Sequence, residues 1–132
     1  MSIENTPFLR NTLLADAAMG VAAALPTIFA AGFLSRLLDL PEGLIFWAGV
    51  ALLPIAVLLV AMARKSIVPA VWLSEIVLIN GLWAAASFAI LLSGLVRPNI
   101  FGAAFIIAQA LAVATFAVLQ FRALRAGRMR VA

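Results

Sequence analysis

Two carboxyl side chains lie within long apolar stretches of this sequence, where a charged group has little water to solvate it. Asp16 belongs to a stretch that begins at Leu13, and Glu75 follows Ser74 in a later stretch. Ionisable residues inside membrane helices are rare and commonly mark ion, proton or substrate sites. A desolvated carboxyl can stay neutral, load a proton or pair with an organic cation. Both residues are therefore candidate sites, and Glu75 is the more prominent one.

Each carboxyl also has a structural interpretation. The stretch around Glu75 is longer than a bilayer requires, so its side chain can reach the headgroups and pair with Arg64, Lys65 or a tail arginine. Asp16 lies close to the predicted start of its helix, where the helix N-terminus favours a negative charge and an arginine can pair with it. These alternatives stay open at the level of the sequence.

A second group of polar side chains has helical spacing. Asn80, Trp83 and Ser87 are separated by three and four residues, and Gln109 and Gln120 share a helix face with Phe116. Asn80 and Gln109 both fall near the predicted bilayer midplane, so they can bond to each other. Such bonds contribute on the order of 1 kcal/mol. The group is either a contact between helices or the polar floor of a small pocket, with Trp83 and Phe116 as its walls.

The elements that must position these residues follow from composition. The 132 residues are 67% hydrophobic and only 11% charged, with a mean hydropathy of +1.22. Soluble domains are about one quarter charged, so this chain requires lipid as its solvent. At roughly 20 residues per span, we predict an all-α integral membrane protein, a single antiparallel up-down four-helix bundle. Its predicted spans cover residues 13–34, 43–63, 68–96 and 100–121, with a basic tail at 122–132.

Small residues form a stripe along the first predicted helix. Helical spacing aligns Asp16 with four small, uncharged residues: Gly20, Ala23, Thr27 and Ala30. Small side chains let the backbones of two membrane helices approach closely. Pro26 and Pro54 interrupt the first two helices and predict kinks, which are compatible with a cavity between them.

The placement of positive charge predicts the orientation. Seven Lys and Arg residues fall on the side of both termini, and two, Arg36 and Arg97, on the other. Cytoplasmic loops carry the excess of positive charge, so both termini are predicted to be cytoplasmic, in a bacterial inner membrane. Six of these residues are expected to contact lipid headgroups: Arg64, Lys65, Arg122, Arg125, Arg128 and Arg130.

The amino-acid composition of the chain disfavours several classes of function. It has no cysteine and no histidine, so we expect no disulfide, no metal site of the usual kind and no histidine-bound haem. We expect no cofactor. The basic residues lie at the ends of apolar segments rather than on a binding face, so nucleic acid is not an expected partner. No catalytic motif is found, and an intramembrane enzyme is the third and weakest hypothesis.

Residues 78–121 carry a pattern of polar residues in an alanine- and leucine-rich background. Its elements are Asn80-x-x-Trp83-x-x-x-Ser87, then Gln109-Ala110-Leu111, then Leu119-Gln120. The pattern resembles short uncharacterised bacterial inner-membrane proteins with four helices. No function is attached to that group. The resemblance favours the Asn80–Gln109 pair over Glu75 as the place to look for a site.

Two main hypotheses of function remain. The first is a structural or accessory subunit of a homo- or hetero-oligomeric membrane complex. The second is a small transporter or binding protein for a lipophilic or cationic small molecule, with Glu75, Asn80, Trp83 and Gln109 lining its site. Membrane lipids are expected partners under either hypothesis.

Overall fold

A computed structural model describes residues 2–131 of the chain, and it describes side chains for residues 2–127. Two short strands and five helices follow one another in this range: β1 (Ser2–Glu4), α1 (Pro7–Phe29), α2 (Ala31–Leu38), α3 (Glu42–Ala63), β2 (Ile67–Pro69), α4 (Ala70–Ser93) and α5 (Ile100–Val131). Helices α1, α3, α4 and α5 are long and apolar enough to cross a membrane. Their outer faces expose large apolar side chains, such as Leu82 and Leu111. The chain is a multi-pass membrane protein by these criteria.

The four long helices pack as two antiparallel pairs, α1 with α3 and α4 with α5. Gly20 of α1 lies opposite Ala56 of α3, whereas Thr27 lies opposite Gly49, so the two helices run in opposite directions. The bonds between α4 and α5 show the same order, because the later residue of one helix contacts the earlier residue of the other. Helix α1 also packs along α5 and joins the pairs.

The first helix begins six residues earlier than the sequence predicted. The Thr6 hydroxyl accepts a hydrogen bond from the backbone N–H of Leu9, and Pro7 occupies the first helical turn. Both features are typical of a helix N-terminus. Asp16 lies nine residues after Pro7, which places it about 14 Å into the helix. It is therefore an interior residue of α1, further from the helix start than expected.

The first predicted span is broken near its far end. Pro26 has no N–H to continue the helical ladder, and α1 ends at Phe29. The chain changes direction at Ala30 and continues as α2 to Leu38. The Asn99 side chain donates to the carbonyl of Leu37 and accepts from the N–H of Gly102, so it ties α2 to the start of α5.

The end of the molecule that carries both termini contains a core that the sequence did not reveal. Strand β1 pairs antiparallel with β2, which places Ile3 beside Val68. Ile3 also packs against Gly127, in a part of α5 that the prediction had assigned to the tail. The buried Asn5 amide donates to the carbonyls of Ala63 and Lys65 and satisfies the C-terminus of α3. These contacts join the ends of α1, α3 and α5.

Two residues of the small-residue stripe of α1, Gly20 and Thr27, lie against α3. A Cβ atom added to Gly49 would overlap the Thr27 hydroxyl, so the Thr27 side chain packs directly on the backbone of α3 at this glycine. Thr27 satisfies its own hydroxyl by donating to the carbonyl of Ala23. Thr27 and Gly49 also line the larger of the cavities described below, so this close contact forms part of its wall.

Candidate functional site

Asp16, Asn80 and Gln120 form a hydrogen-bonded triad between α1, α4 and α5. The Asn80 amide donates to Asp16 Oδ2 at 2.9 Å and to Gln120 Oε1 at 2.9 Å, and the Gln120 amide donates to Asp16 Oδ2 at 2.7 Å. All three are buried, with exposed fractions of 8%, 5% and 0%. The carboxyl oxygen Oδ2 therefore accepts two bonds from neutral amides.

Gln109 of α5 belongs to a second cluster, which meets α4 about one turn beyond Asn80. Its Oε1 accepts a hydrogen bond from the Trp83 indole at 2.9 Å, and its amide donates to the Ser87 hydroxyl at 2.9 Å. The expected bond between Asn80 and Gln109 is not formed. In two antiparallel helices, side chains bond when they lie at the same level along the helix axes. Asn80 lies at the level of Gln120, whereas Gln109 lies at the level of Trp83 and Ser87.

Two adjoining cavities lie between the helix pairs. The larger, of about 390 Å³, is lined by apolar side chains from all five helices and by the Trp83–Gln109–Ser87 cluster. The smaller, of about 80 Å³, is lined by Asp16 and Asn80, and by both of the predicted pocket walls, Trp83 and Phe116. We call them the large chamber and the small chamber.

One residue from each spanning helix separates the chambers. Ala23 of α1, Leu52 of α3, Trp83 of α4 and Gln109 of α5 line both cavities. These four residues form a neck, in which the hydrogen-bonded indole and amide face a methyl group and an isobutyl group. The sequence reasoning missed Leu52 because nothing distinguishes it from the other leucines of α3, whereas Ala23 was on the small-residue stripe.

The second carboxyl oxygen of Asp16, Oδ1, is not fully enclosed. Oδ1 accepts no hydrogen bond from the residues whose side chains are described. Within residues 2–127 the only fully enclosed side-chain oxygen or nitrogen without a partner is Asn5 Oδ1. Asp16 Oδ1 is therefore accessible, and the small chamber is the space that Asp16 lines. No Lys or Arg among residues 2–127 forms an ion pair with Asp16. A negative charge on this carboxyl would therefore be uncompensated.

Glu75, the more prominent of the two carboxyl candidates in the sequence, lies apart from both chambers. Its side chain is exposed on the outer face of α4 and lines neither chamber. It forms no ion pair with Arg64, Lys65 or another described residue. The Lys65 ammonium instead lies 5.2 Å from the centroid of the Trp72 ring.

The basic residues that were expected at the headgroups gather at one end of the molecule. Arg64, Lys65, Arg122 and Arg125 are exposed there, and the side chains of Arg128 and Arg130 lie outside the described residues. Arg10 donates to the carbonyl of Ala63 at the C-terminus of α3, where a positive charge is favourable. This grouping matches the asymmetry of charge in the sequence.

Neither a metal centre nor a known relative defines the site. Residues 2–127 contain no group of three or more acidic or other metal-ligating side chains that could hold an ion. No protein-family model, curated protein or solved structure matches the chain. The chambers and the triad are therefore interpreted from their own chemistry.

Proposed function

We propose that this protein binds a small lipophilic molecule in the large chamber, between its two helix pairs. The chamber itself is the observation that carries the proposal. Its volume of about 390 Å³ lies within the range of ligand-binding cavities. Its walls combine many apolar side chains with one cluster of polar groups, which is the usual composition of a site for a small amphiphilic ligand.

The polar cluster gives the chamber one defined place for a polar group. In the Trp83–Gln109–Ser87 cluster, the Ser87 hydroxyl donates to the Trp83 carbonyl within its own helix and accepts from Gln109. The Gln109 amide also donates to the carbonyl of Ile106. Because the cluster is satisfied internally, a bound ligand gains little from it beyond orientation, and most of the affinity comes from the apolar walls.

Binding can be tested through the tryptophan that lines both chambers. In the Trp47→Phe/Trp72→Phe background, Trp83 is the only tryptophan. We expect neopentylbenzene, added to this protein in lipid nanodiscs, to change the Trp83 emission in a saturable manner. A change that rises linearly with the probe, as simple partition into lipid produces, would contradict the proposal.

Two matched pairs of variants separate the chamber from the outer surface. Ala48 and Ala86 line the large chamber, whereas Ala51 and Ala85 are exposed neighbours on the same helices that line neither chamber. We expect Ala48→Phe and Ala86→Phe to fill the chamber and abolish saturable binding, and Ala51→Phe and Ala85→Phe to preserve it. Equal loss in all four variants would mean that the probe binds elsewhere.

The setting of the protein is a further part of the proposal. We place it in the inner membrane of a bacterium with both termini cytoplasmic, among the short four-helix proteins that its pattern of polar residues resembles. The grouping of exposed Arg64, Lys65, Arg122 and Arg125 at the end that carries both termini supports this orientation.

The accessory-subunit hypothesis is the second candidate, and the apolar outer surface supports it. Large side chains such as Leu82 and Leu111 cover the helices, and they can contact lipid or another membrane subunit equally well. Native mass spectrometry after gentle extraction separates the two functions. A persistent foreign subunit would favour the accessory role, and a discrete small-molecule mass on a monomer or homo-oligomer would favour the binding role.

A further inference from the structure

We propose that the ligand is a monovalent organic cation and that its positive group enters the small chamber to pair with Asp16, in exchange for a proton. This inference rests on the binding function proposed above and adds the charge of the ligand to it. The empty site then carries a neutral carboxylic acid, and the occupied site carries a carboxylate with its cation. The net charge of the buried site is zero in both states.

The position of Asp16 supports a ligand contact rather than a purely structural role. A structural carboxylate in a membrane helix is normally paired or directed to the headgroups. Asp16 is instead about 14 Å from the start of α1, with Oδ2 held by Asn80 and Gln120, Oδ1 without a hydrogen bond from residues 2–127, and the residue lining the small chamber. The triad therefore occupies one oxygen of the carboxyl and leaves the other available to a ligand, on a residue that lines the small chamber.

The surrounding charges leave this carboxyl without a counter-ion. The other charged residues of the elements packed around it, α1, α3, α4 and α5, have exposed side chains wherever these are described: Arg10, Glu42, Glu75, Arg122 and Arg125. None of them forms an ion pair with Asp16. The amide donors of Asn80 and Gln120 reduce the free-energy cost of a buried negative charge but do not cancel it. A proton or a cationic ligand must supply the missing charge.

The neck connects this carboxyl with the proposed ligand site. Trp83 and Gln109 border both chambers, together with Ala23 and Leu52. The proposal requires that a ligand whose apolar part occupies the large chamber place its positive group between these residues, which border both chambers. The Trp83 ring then lies beside the cation, and aromatic rings stabilise organic cations, most strongly where water is excluded.

A pair of probes of equal shape tests the charge requirement. Benzyltrimethylammonium is a permanent cation, and neopentylbenzene is its neutral carbon analogue. We expect Asp16→Asn to weaken binding of the cation about 30-fold or more, because a buried charge pair is lost, and to weaken binding of the neutral probe far less. Glu75→Gln removes a carboxyl that lines neither chamber and should change neither affinity.

Proton exchange gives the second readout. In a weakly buffered solution, binding of benzyltrimethylammonium should release protons from the native protein. Its affinity should fall as the pH is lowered, since protonated Asp16 cannot pair with a cation. Neither effect should occur with neopentylbenzene or in the Asp16→Asn protein.

The outcomes distinguish this inference from the binding function. If each probe binds to Asp16→Asn as tightly as it binds to the native protein, the cation site is refuted and the large chamber remains a binding site. If neither probe binds to the native protein in a saturable manner, both proposals fail. If Asp16→Asn does not fold, as judged by gel filtration and circular dichroism, proton release by the native protein decides: its absence overturns the inference.

Discussion

At the scale of single residues, the two carboxyl groups of the apolar stretches differ in burial, because three helices enclose Asp16 and none encloses Glu75. Asp16 and Glu75 are both acidic residues in apolar stretches, and the sequence favoured Glu75. The structure places Glu75 on the outer surface and Asp16 within a triad of buried side chains. The difference follows from the helix boundaries. A start at Pro7 instead of Leu13 moves Asp16 about two turns deeper into the bundle.

The triad should contribute measurably to stability. Replacing Asn80 by alanine removes a donor from both Asp16 and Gln120. We expect this change to lower the free energy of unfolding by about 1 kcal/mol, the usual value for a side-chain hydrogen bond between membrane helices. Denaturation of the protein in mixed micelles measures the change.

An exposed serine provides the control for this measurement. Ser93 also donates a hydrogen bond, to the carbonyl of Ile90, but in an exposed position where water can replace it. We expect Ser93→Ala to leave the unfolding free energy nearly unchanged. Equal effects of Asn80→Ala and Ser93→Ala would show that the triad is dispensable for folding.

At the scale of the elements, the closest contact lies between α1 and α3. Gly49 packs against Thr27 so tightly that a Cβ atom would overlap the Thr27 hydroxyl. We expect Gly49→Ala to force the two helices apart and to lower the unfolding free energy by about 1–3 kcal/mol, as overpacking does in other cores. Thr27→Ala in the same chain should recover part of this loss, because it removes the hydroxyl.

Gly81 is the matched control for this substitution. It is also a helical glycine, but no atom lies within 4 Å of a Cβ added at its position. Alanine has a helix propensity about 1 kcal/mol better than that of glycine. Gly81→Ala should therefore leave the unfolding free energy unchanged or raise it slightly. A loss as large as that of Gly49→Ala would mean that helix separation does not explain the first result.

At the scale of the whole molecule, orientation in the membrane is the property to establish. The chain has no cysteine, so single cysteines can be introduced without interference. Leu95 and Ser66 are exposed and lie in turns at opposite ends of the molecule. In intact cells, we expect a membrane-impermeant maleimide to label Leu95→Cys, and to label Ser66→Cys only after permeabilisation.

The opposite labelling pattern would reverse the orientation. The positive residues concentrated at the end that carries Ser66 would then face outward, contrary to the positive-inside rule. The chambers would keep their geometry, but the side from which a ligand or proton reaches Asp16 would change. A denatured sample, in which both cysteines must react, controls for the reactivity of each thiol.

The sequence by itself determined the class of the protein and the number of its spanning helices. Both depend on composition and length, because a 67% hydrophobic chain with 11% charged residues cannot be solvated by water along four segments of this length. It also singled out the side chains that the structure brings together in two hydrogen-bonded clusters, Asp16, Asn80, Trp83, Ser87, Gln109 and Gln120, since polar residues are conspicuous in an apolar background.

Only the tertiary structure decided how these side chains are paired. Helical spacing shows which residues share a face, but not the height at which two helices meet. A shift of three turns changes the partner of Asn80 from Gln109 to Gln120, and the shift is set by contacts far from either amide, such as Asn99 with Leu37 and Ile3 with Gly127. The chambers have the same origin, because the space between two helix pairs depends on how closely Gly49 and Thr27 allow one pair to pack.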